Sequence, residues 1–129
     1  MNSCCVLVVD DENLIRWSLR ERLEAAGYEV LEAENGRQAI ESFSESVDLV
    51  LLDLRLPDLD GLSVLEKIQS SRPGAPVILM TAFGTPETVR RAIATGARRV
   101  VDKPFDYDGM LRMVTEELRH GATPSHQTG

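Results

Sequence analysis

The sequence predicts an α/β fold in which a doubly wound, five-stranded parallel sheet is covered by five helices. Three observations point there. Short apolar runs alternate five times with stretches of helical period, the pattern of a parallel sheet layered on both faces. Three of those runs are continuously apolar, as strands buried on both faces must be. Carboxylates, a hydroxyl and a lysine recur where the runs end, and in open parallel sheets ligands bind at that edge.

The strands are read at residues 5–9, 29–31, 49–52, 77–80 and 100–101, and the helices at 13–26, 36–45, 62–71, 86–95 and 107–119. The second run is mixed in polarity, which suits an edge strand. Ile15, Leu19, Leu23 and Ala26 form the apolar stripe of the first helix, Leu62, Leu65 and Ile68 with Val64 that of the third, and Leu111, Val114 and Leu118 that of the fifth. Asp106 is placed to cap the last helix and Gly121 to stop it. Gly27, Gly36, Gly61, Gly96 and Pro73-Gly74 punctuate the joints.

A chain of 129 residues is one domain's worth, long enough to bury a core without a disulfide or metal staple. Residues 1–120 are expected to form that domain, and the small, polar residues 121–129 a flexible tail or the start of a linker. No apolar run reaches the length of a membrane span, and residues 1–5 carry no basic flank before the first run, so neither a membrane segment nor a secretory leader is expected. Cys4 and Cys5 are adjacent and cannot staple distant segments. They read as small hydrophobes in a reducing, cytoplasmic setting. A net charge of −7 argues against non-specific nucleic-acid binding by this domain.

Asp10, Asp11 and Glu12 come directly after the first run, Asp53 ends the third, Thr81 the fourth, and Asp102-Lys103-Pro104 the fifth. Any one of these alone reads as a cap, a turn residue or a solvated lysine. Their coincidence at matching strand ends is what points to chemistry. Clustered carboxylates repel one another, and a hard divalent cation such as Mg²⁺ relieves that repulsion through oxygen ligands. A carboxylate beside it can attack a phosphoryl group and form an acyl phosphate, with Lys103 and the Thr81 hydroxyl stabilising the transferred oxygens.

The chain resembles the receiver domain of two-component response regulators. The segments that carry the resemblance are VLVVDDE (6–12), LVLLDLRLPDLDG (49–61), ILMTAFG (78–84), Gly96-Ala97 and Lys103-Pro104-Phe105, and MTAFGTPETV followed by KPFD is most similar to receivers of the nitrogen-regulator and dicarboxylate-transport-regulator type. The resemblance implies a flavodoxin-like (βα)5 fold with strand order 2-1-3-4-5. It implies that Asp53 is the phosphoacceptor, that Asp10, Asp11, Asp53 and the backbone carbonyl of Arg55 hold Mg²⁺ or Mn²⁺, and that Thr81 and Lys103 contact the phosphoryl group. The Lys103-Pro104 pair is similar to family members with a cis bond there, and Pro57 and Gly61 would shape the loop after Asp53.

Implied partners are a sensor histidine kinase or histidine phosphotransfer protein, and an output domain or second copy meeting the face of the fourth helix, fifth strand and fifth helix. The sequence departs from the family at Val100, where an aromatic switch residue usually stands three positions before the lysine. In similar receivers Arg55 and Phe83 occupy positions that flank the path of attacking water.

Trp17 falls off the first helix's stripe beside Leu14, and reads either as a shielded edge contact or as a partner surface. Arg90, Arg91, Arg98 and Arg99 read as a solvated basic face or a charged interface, and His120 and His126 carry no ligand spacing. Three other functions compete. A flavin or nucleotide binder of this fold wants a glycine- or hydroxyl-rich first loop, where this chain has Asp10-Asp11-Glu12. An aspartyl phosphatase commonly wants a second carboxylate at the position of Arg55. A phosphorylation-independent interaction module is the third, with Val100 in its favour.

Overall fold

The computed structural model describes residues 3–120. Its elements run β1 (Cys5–Val9), α1 (Asn13–Ala25), β2 (Glu29–Ala33), α2 (Gly36–Ser42), β3 (Leu49–Asp53), α3 (Gly61–Ser71), β4 (Val77–Thr81), α4 (Pro86–Thr95), β5 (Arg99–Asp102) and α5 (Tyr107–His120). All four strand pairings are parallel, and the order is β2-β1-β3-β4-β5. This is the flavodoxin-like order that the resemblance implied, with the mixed β2 at an edge. The expected polar tail, the Gly121 stop and His126 lie outside the described residues.

Strand alternation builds two cores. Leu7, Val9, Val50, Leu52, Val77 and Leu79 face one way, against Ala39 of α2, Val64, Leu65 and Ile68 of α3, and Ala92 of α4. Val6, Val8, Leu49, Leu51, Ile78 and Met80 face the other, against Leu19 and Leu23 of α1 and Met110 and Val114 of α5. Each fully buried aliphatic side chain contributes roughly 1.5–3 kcal/mol, so these two layers fix the sheet as a rigid platform for its polar edge.

Several expectations are corrected. Ala26 lies beyond the end of α1 and is exposed rather than part of the stripe. The second helix stops at Ser42, because Phe43 turns to extended backbone (φ −71°, ψ 125°) and packs against the first core, with the Arg72 guanidinium 4.9 Å from its ring centroid. The third starts one residue early because the Asp60 carboxylate caps Leu62 N–H at 3.1 Å. β3 and β4 each run one residue further than read, taking in Asp53 and Thr81 themselves. Asp106 does cap α5, accepting from Asp108 N and Gly109 N. Among the described residues no helix is long and apolar enough to cross a membrane.

Candidate functional site

The carboxyl ends of β1, β3, β4 and β5 meet at one edge of the sheet, and each delivers a polar side chain there. A strand's last residue has half its backbone still in the ladder, so its side chain is held as firmly as the core beneath it. Asp10 is fully buried, Asp53 is 5% exposed and Thr81 2% exposed. Asp11, on the turn, is exposed.

Lys103 ties the edge together. Its ammonium donates to Asp10 Oδ2 at 2.8 Å and to Asp53 Oδ2 at 3.2 Å, and reaches Glu12 Oε1 at 3.5 Å. Lys103 N–H donates to Thr81 C=O at 2.7 Å, and the Lys103–Pro104 bond is cis. Asp53 Oδ1 accepts from Arg55 N–H at 3.3 Å, Asp10 Oδ1 from Glu12 N–H at 2.9 Å, and the Thr81 hydroxyl from Phe83 N–H at 3.1 Å. The loop after Asp53 folds back on itself through an Arg55–Asp60 bridge. A Cβ on Gly61 would sit 2.6 Å from the Asp53 carbonyl oxygen and the Leu54 Cα, so only glycine lets α3 start that close to the strand end.

The electrostatics result from this crowding. Burial, and then the charge of Asp10, push the Asp53 carboxyl up to about 6 against the opposing pull of Lys103 and the Arg55 N–H. Burial alone would lower the Lys103 ammonium, but its bonds and charge contacts with Asp10 and Asp53 outweigh that and hold it above its ordinary value. Asp10, Asp11 and Asp53 each offer a carboxylate oxygen, all within 4.8 Å of one another. Three hard oxygen donors at this spacing, two of them buried, fit a small divalent cation.

The structure therefore brings together Asp10, Asp11, Asp53 and Lys103 by their side chains, with Thr81 joined to Lys103 through its backbone and Arg55 and Phe83 bonded through their N–H groups to Asp53 and Thr81. The Arg55 guanidinium lies 5.5 Å from the Phe83 ring centroid, so the loops after β3 and β4 touch through these two side chains. A depression of about 380 Å³ opens beside Lys103, bordered by Glu12, Ile15, Phe105 and Tyr107.

Two surface readings change. Trp17 is 59% exposed and Leu14 71% exposed, so Trp17 is not a shielded edge contact. Arg99 is half-buried and ion-paired: it donates to Glu117 Oε2 and Glu116 Oε1, both at 2.8 Å, and Arg98 stands 3.6 Å from Glu117 Oε1. These pairs bind β5 to α5 around a carboxylate that is 5% exposed. Arg90 and Arg91 remain on the exposed side of α4. Cys5 is buried in β1 and Cys4 half-buried beside it, both free thiols.

Sequence reasoning missed Arg16. It is 9% exposed and donates to the Asp10 backbone carbonyl at 2.6 Å. The signal was present: the buried positions of α1 are Arg16, Leu19 and Leu23, a charge standing in line with the apolar stripe.

Comparison with known proteins identifies the family and the fold. The profile of the response regulator receiver domain family matches residues 6–115. The chain is 35% identical over 115 residues to a cyclic di-GMP phosphodiesterase of Thermotoga maritima, covering 89% of this chain and 31% of that protein. It is 38% identical over 116 residues to the DNA-binding transcriptional regulator NtrC of Escherichia coli K12, covering 89% of this chain and 25% of that protein. The chain thus spans between a quarter and a third of the length of these relatives. Among solved structures, the CheY-like response regulator receiver domain protein of Methanospirillum hungatei JF-1 superposes with a TM-score of 0.85 at 31% identity, covering 92% of this chain and 96% of that one.

Proposed function

Because the chain belongs to the response regulator receiver domain family, a signalling family rather than one of conventional enzymes, we propose that it is a cytoplasmic switch operated by phosphorylation of Asp53. The donor is the phosphohistidine of a sensor histidine kinase or a histidine phosphotransfer protein. An Asp53 carboxylate oxygen attacks phosphorus, the phosphorus–nitrogen bond breaks, and its electron pair returns to the imidazole as an acyl phosphate forms. The observation that carries this reading is the Lys103 ammonium bonded to both Asp10 and Asp53, at the end of the buried central strand.

Each residue has a part in it. Lys103 balances the charge of the nucleophile and then of the phosphoryl oxygens, and the Thr81 hydroxyl leaves Phe83 N–H to donate to one of them. Asp10, Asp11, Asp53 and the Arg55 backbone carbonyl would hold Mg²⁺ or Mn²⁺, which when bound offsets negative charge at the reacting phosphate. A cation there also favours the ionised Asp53 that attack requires, against the upward push of burial.

The switch then acts on α4, β5 and α5, through which an output domain or a second copy is controlled. The matched relatives are three to four times longer than this segment and include both a DNA-binding regulator and a nucleotide phosphodiesterase, so the family accommodates outputs of different chemistry. Val100 packs on the first core from β5 and has no ring to swing, which favours transmission through Thr81 and the loop after it.

Incubation with acetyl phosphate and Mg²⁺, followed by intact mass measurement, tests the reading. The expected result is one phosphoryl group on the wild type and none on Asp53→Asn or without Mg²⁺. An unmodified wild-type protein would instead support the phosphorylation-independent interaction module that Val100 leaves as the second reading.

A further inference from the structure

Arg16 is a buried cation whose guanidinium is used from three sides. Its Nη1 donates to the Asp10 carbonyl oxygen at 2.6 Å, its Nε to Glu32 Oε1 of β2 at 3.1 Å, and its Nη2 to Asn13 Oδ1. Glu34 Oε2 stands 3.8 Å from Nη2 on the same side. Arg20, one turn on, completes the grip on Glu32 at 2.7 Å, and the two arginines outweigh burial to hold the Glu32 carboxyl below its ordinary value. The planar fork that makes such a set of bonds is available to arginine and not to lysine.

The peptide that Arg16 holds is the one that turns the chain from β1 into the acidic loop. Asp10 N–H already donates to Ala33 C=O at 3.1 Å. With its C=O fixed by Arg16, both backbone groups of Asp10 are determined, and with them the direction in which the chain leaves for Asp11. Asp11 is exposed and sits on the turn, so little besides that backbone places its carboxylate beside those of Asp10 and Asp53.

We propose that Arg16 is the positioning residue of the acidic turn: by fixing the Asp10 carbonyl from α1 and β2, it sets the place of the Asp11 carboxylate and hence the affinity of the site for a divalent cation. The inference rests on the reading of Asp10, Asp11 and Asp53 as a Mg²⁺ site. It also makes a prediction of opposite sign to that of simple electrostatics. A cation close to the carboxylates repels Mg²⁺, so removing its charge alone would tighten binding. Removing a positioning group weakens it.

The test is calorimetric titration of the whole chain with MgCl2, beside urea unfolding in EDTA to establish that each variant is folded at the titration temperature. Asp11→Asn is the control. Arg16→Lys keeps the charge and loses the fork. It is expected to raise the Mg²⁺ Kd about tenfold, the lower end of what loss of a group supporting a metal ligand costs. Arg16→Gln should weaken binding at least as much, despite having lost a repulsive charge. Asn13→Ala is charge-neutral and removes one arm, so it should move the Kd in the same direction by less, and with Arg16→Lys it carries the test if Arg16→Gln does not fold. A purely structural role would lower the urea midpoint and leave the Kd of the folded protein unchanged.

Unchanged Kd in Arg16→Lys and Asn13→Ala, or tighter binding in Arg16→Gln, overturns the inference while the metal-site reading stands. A wild type that takes up no Mg²⁺, with Asp11→Asn indistinguishable from it, overturns both.

Discussion

The two halves of the sheet's polar edge are built to different standards. On one side, β1 and β3 are buried along their whole length, and α3 buries five of its eleven residues against them. On the other, β5 is half-buried to exposed throughout, and α4 buries only Ala92 among its ten residues. Asp10 and Asp53 belong to the firm side. Thr81 ends β4, itself fully buried, and hands the chain to the exposed loop that leads into α4. Segments with few buried contacts open and shift at low cost, and conformational switches are drawn from them. On the proposed function, the difference teaches where each task can be done: a nucleophile must be held still, which suits the packed side, and a response must move, which suits the side that gives up little packing when it does.

The contrast breaks if the two sides cost the same to damage. Leu51→Ala in β3 removes a fully buried side chain and is expected to lower stability by about 3 kcal/mol. Ile93→Ala in α4, where the side chain is 48% exposed, should cost less than about 1 kcal/mol. Urea unfolding of both variants measures this directly, and equal losses would remove the distinction.

The firm side also carries a local cost at its proposed acceptor. The Asp53 carboxyl, raised from 3.8 to about 6, holds its proton more tightly in the folded chain than in the unfolded one. Its contribution to stability is therefore full below about pH 3.8 and is lost as the pH rises through about 6. The shift corresponds to ~3 kcal/mol at 1.36 kcal/mol per pH unit, and solvent screening brings the expected effect to about 1–2 kcal/mol. Unfolding in EDTA at pH 4 and pH 7 should show Asp53→Asn gaining on the wild type by that amount as the pH rises. Excess Mg²⁺ should close the gap by favouring the wild-type carboxylate. A constant difference across the range would mean that the acceptor is not strained.

A third measurement asks whether the loose side does respond. Beryllofluoride on Asp53 stands in for the phosphoryl group. Amide exchange at residues 82–95 is expected to change by roughly fivefold, about 1 kcal/mol in local opening, while α3 at Gly61–Ser71 stays constant. Changes confined to the acidic pocket would leave α4 without a part in the output.

Most of this division was legible in the chain, for reasons of pattern. Continuous apolar runs identify the buried strands because a strand covered on both faces tolerates no polar residue, and the acidic residues stand out at the carboxyl ends of those runs. The order of the strands, by contrast, came from resemblance, since periodicity says nothing about which strand lies beside which. What the sequence hid were pairings between distant residues. Arg99 read as part of a solvated face or a charged interface, and its pairs were hidden because Glu116 and Glu117 lie on α5 and only the fold brings them to β5. Arg16 was overlooked because a charge in an apolar stripe reads as a break in the stripe, when here it is the stripe's end, turned to satisfy a carbonyl. Val100 was read correctly as lacking a switch ring, yet that it packs on the first core could be known only once the register Leu79↔Val100 was seen.

The smallest expected effect lies at the seam between the two sides. Arg55 rises from the loop after β3 and Phe83 from the loop after β4, and the guanidinium stands 5.5 Å from the ring centroid. Phe83 is 70% exposed, and an exposed cation–π contact of this kind is worth only about 0.5–1 kcal/mol. The resemblance to receivers puts these two positions beside the path of water to the phosphorus of the proposed Asp53 acyl phosphate. Arg55→Ala and Phe83→Ala should each speed the decay of phosphorylated protein by about threefold to fivefold, a barrier change of roughly 0.7–1 kcal/mol. Because the two act as one contact, the double variant should decay no faster than the quicker single one, the non-additivity expected of residues that touch. Decay followed by intact mass after removal of the phosphodonor supplies the rates. If both single variants stay within about twofold of wild type, ~0.4 kcal/mol, the seam does not gate water and the two sides are joined only through Thr81. If the effects multiply, each residue shields the phosphate separately, and the contact between them is incidental.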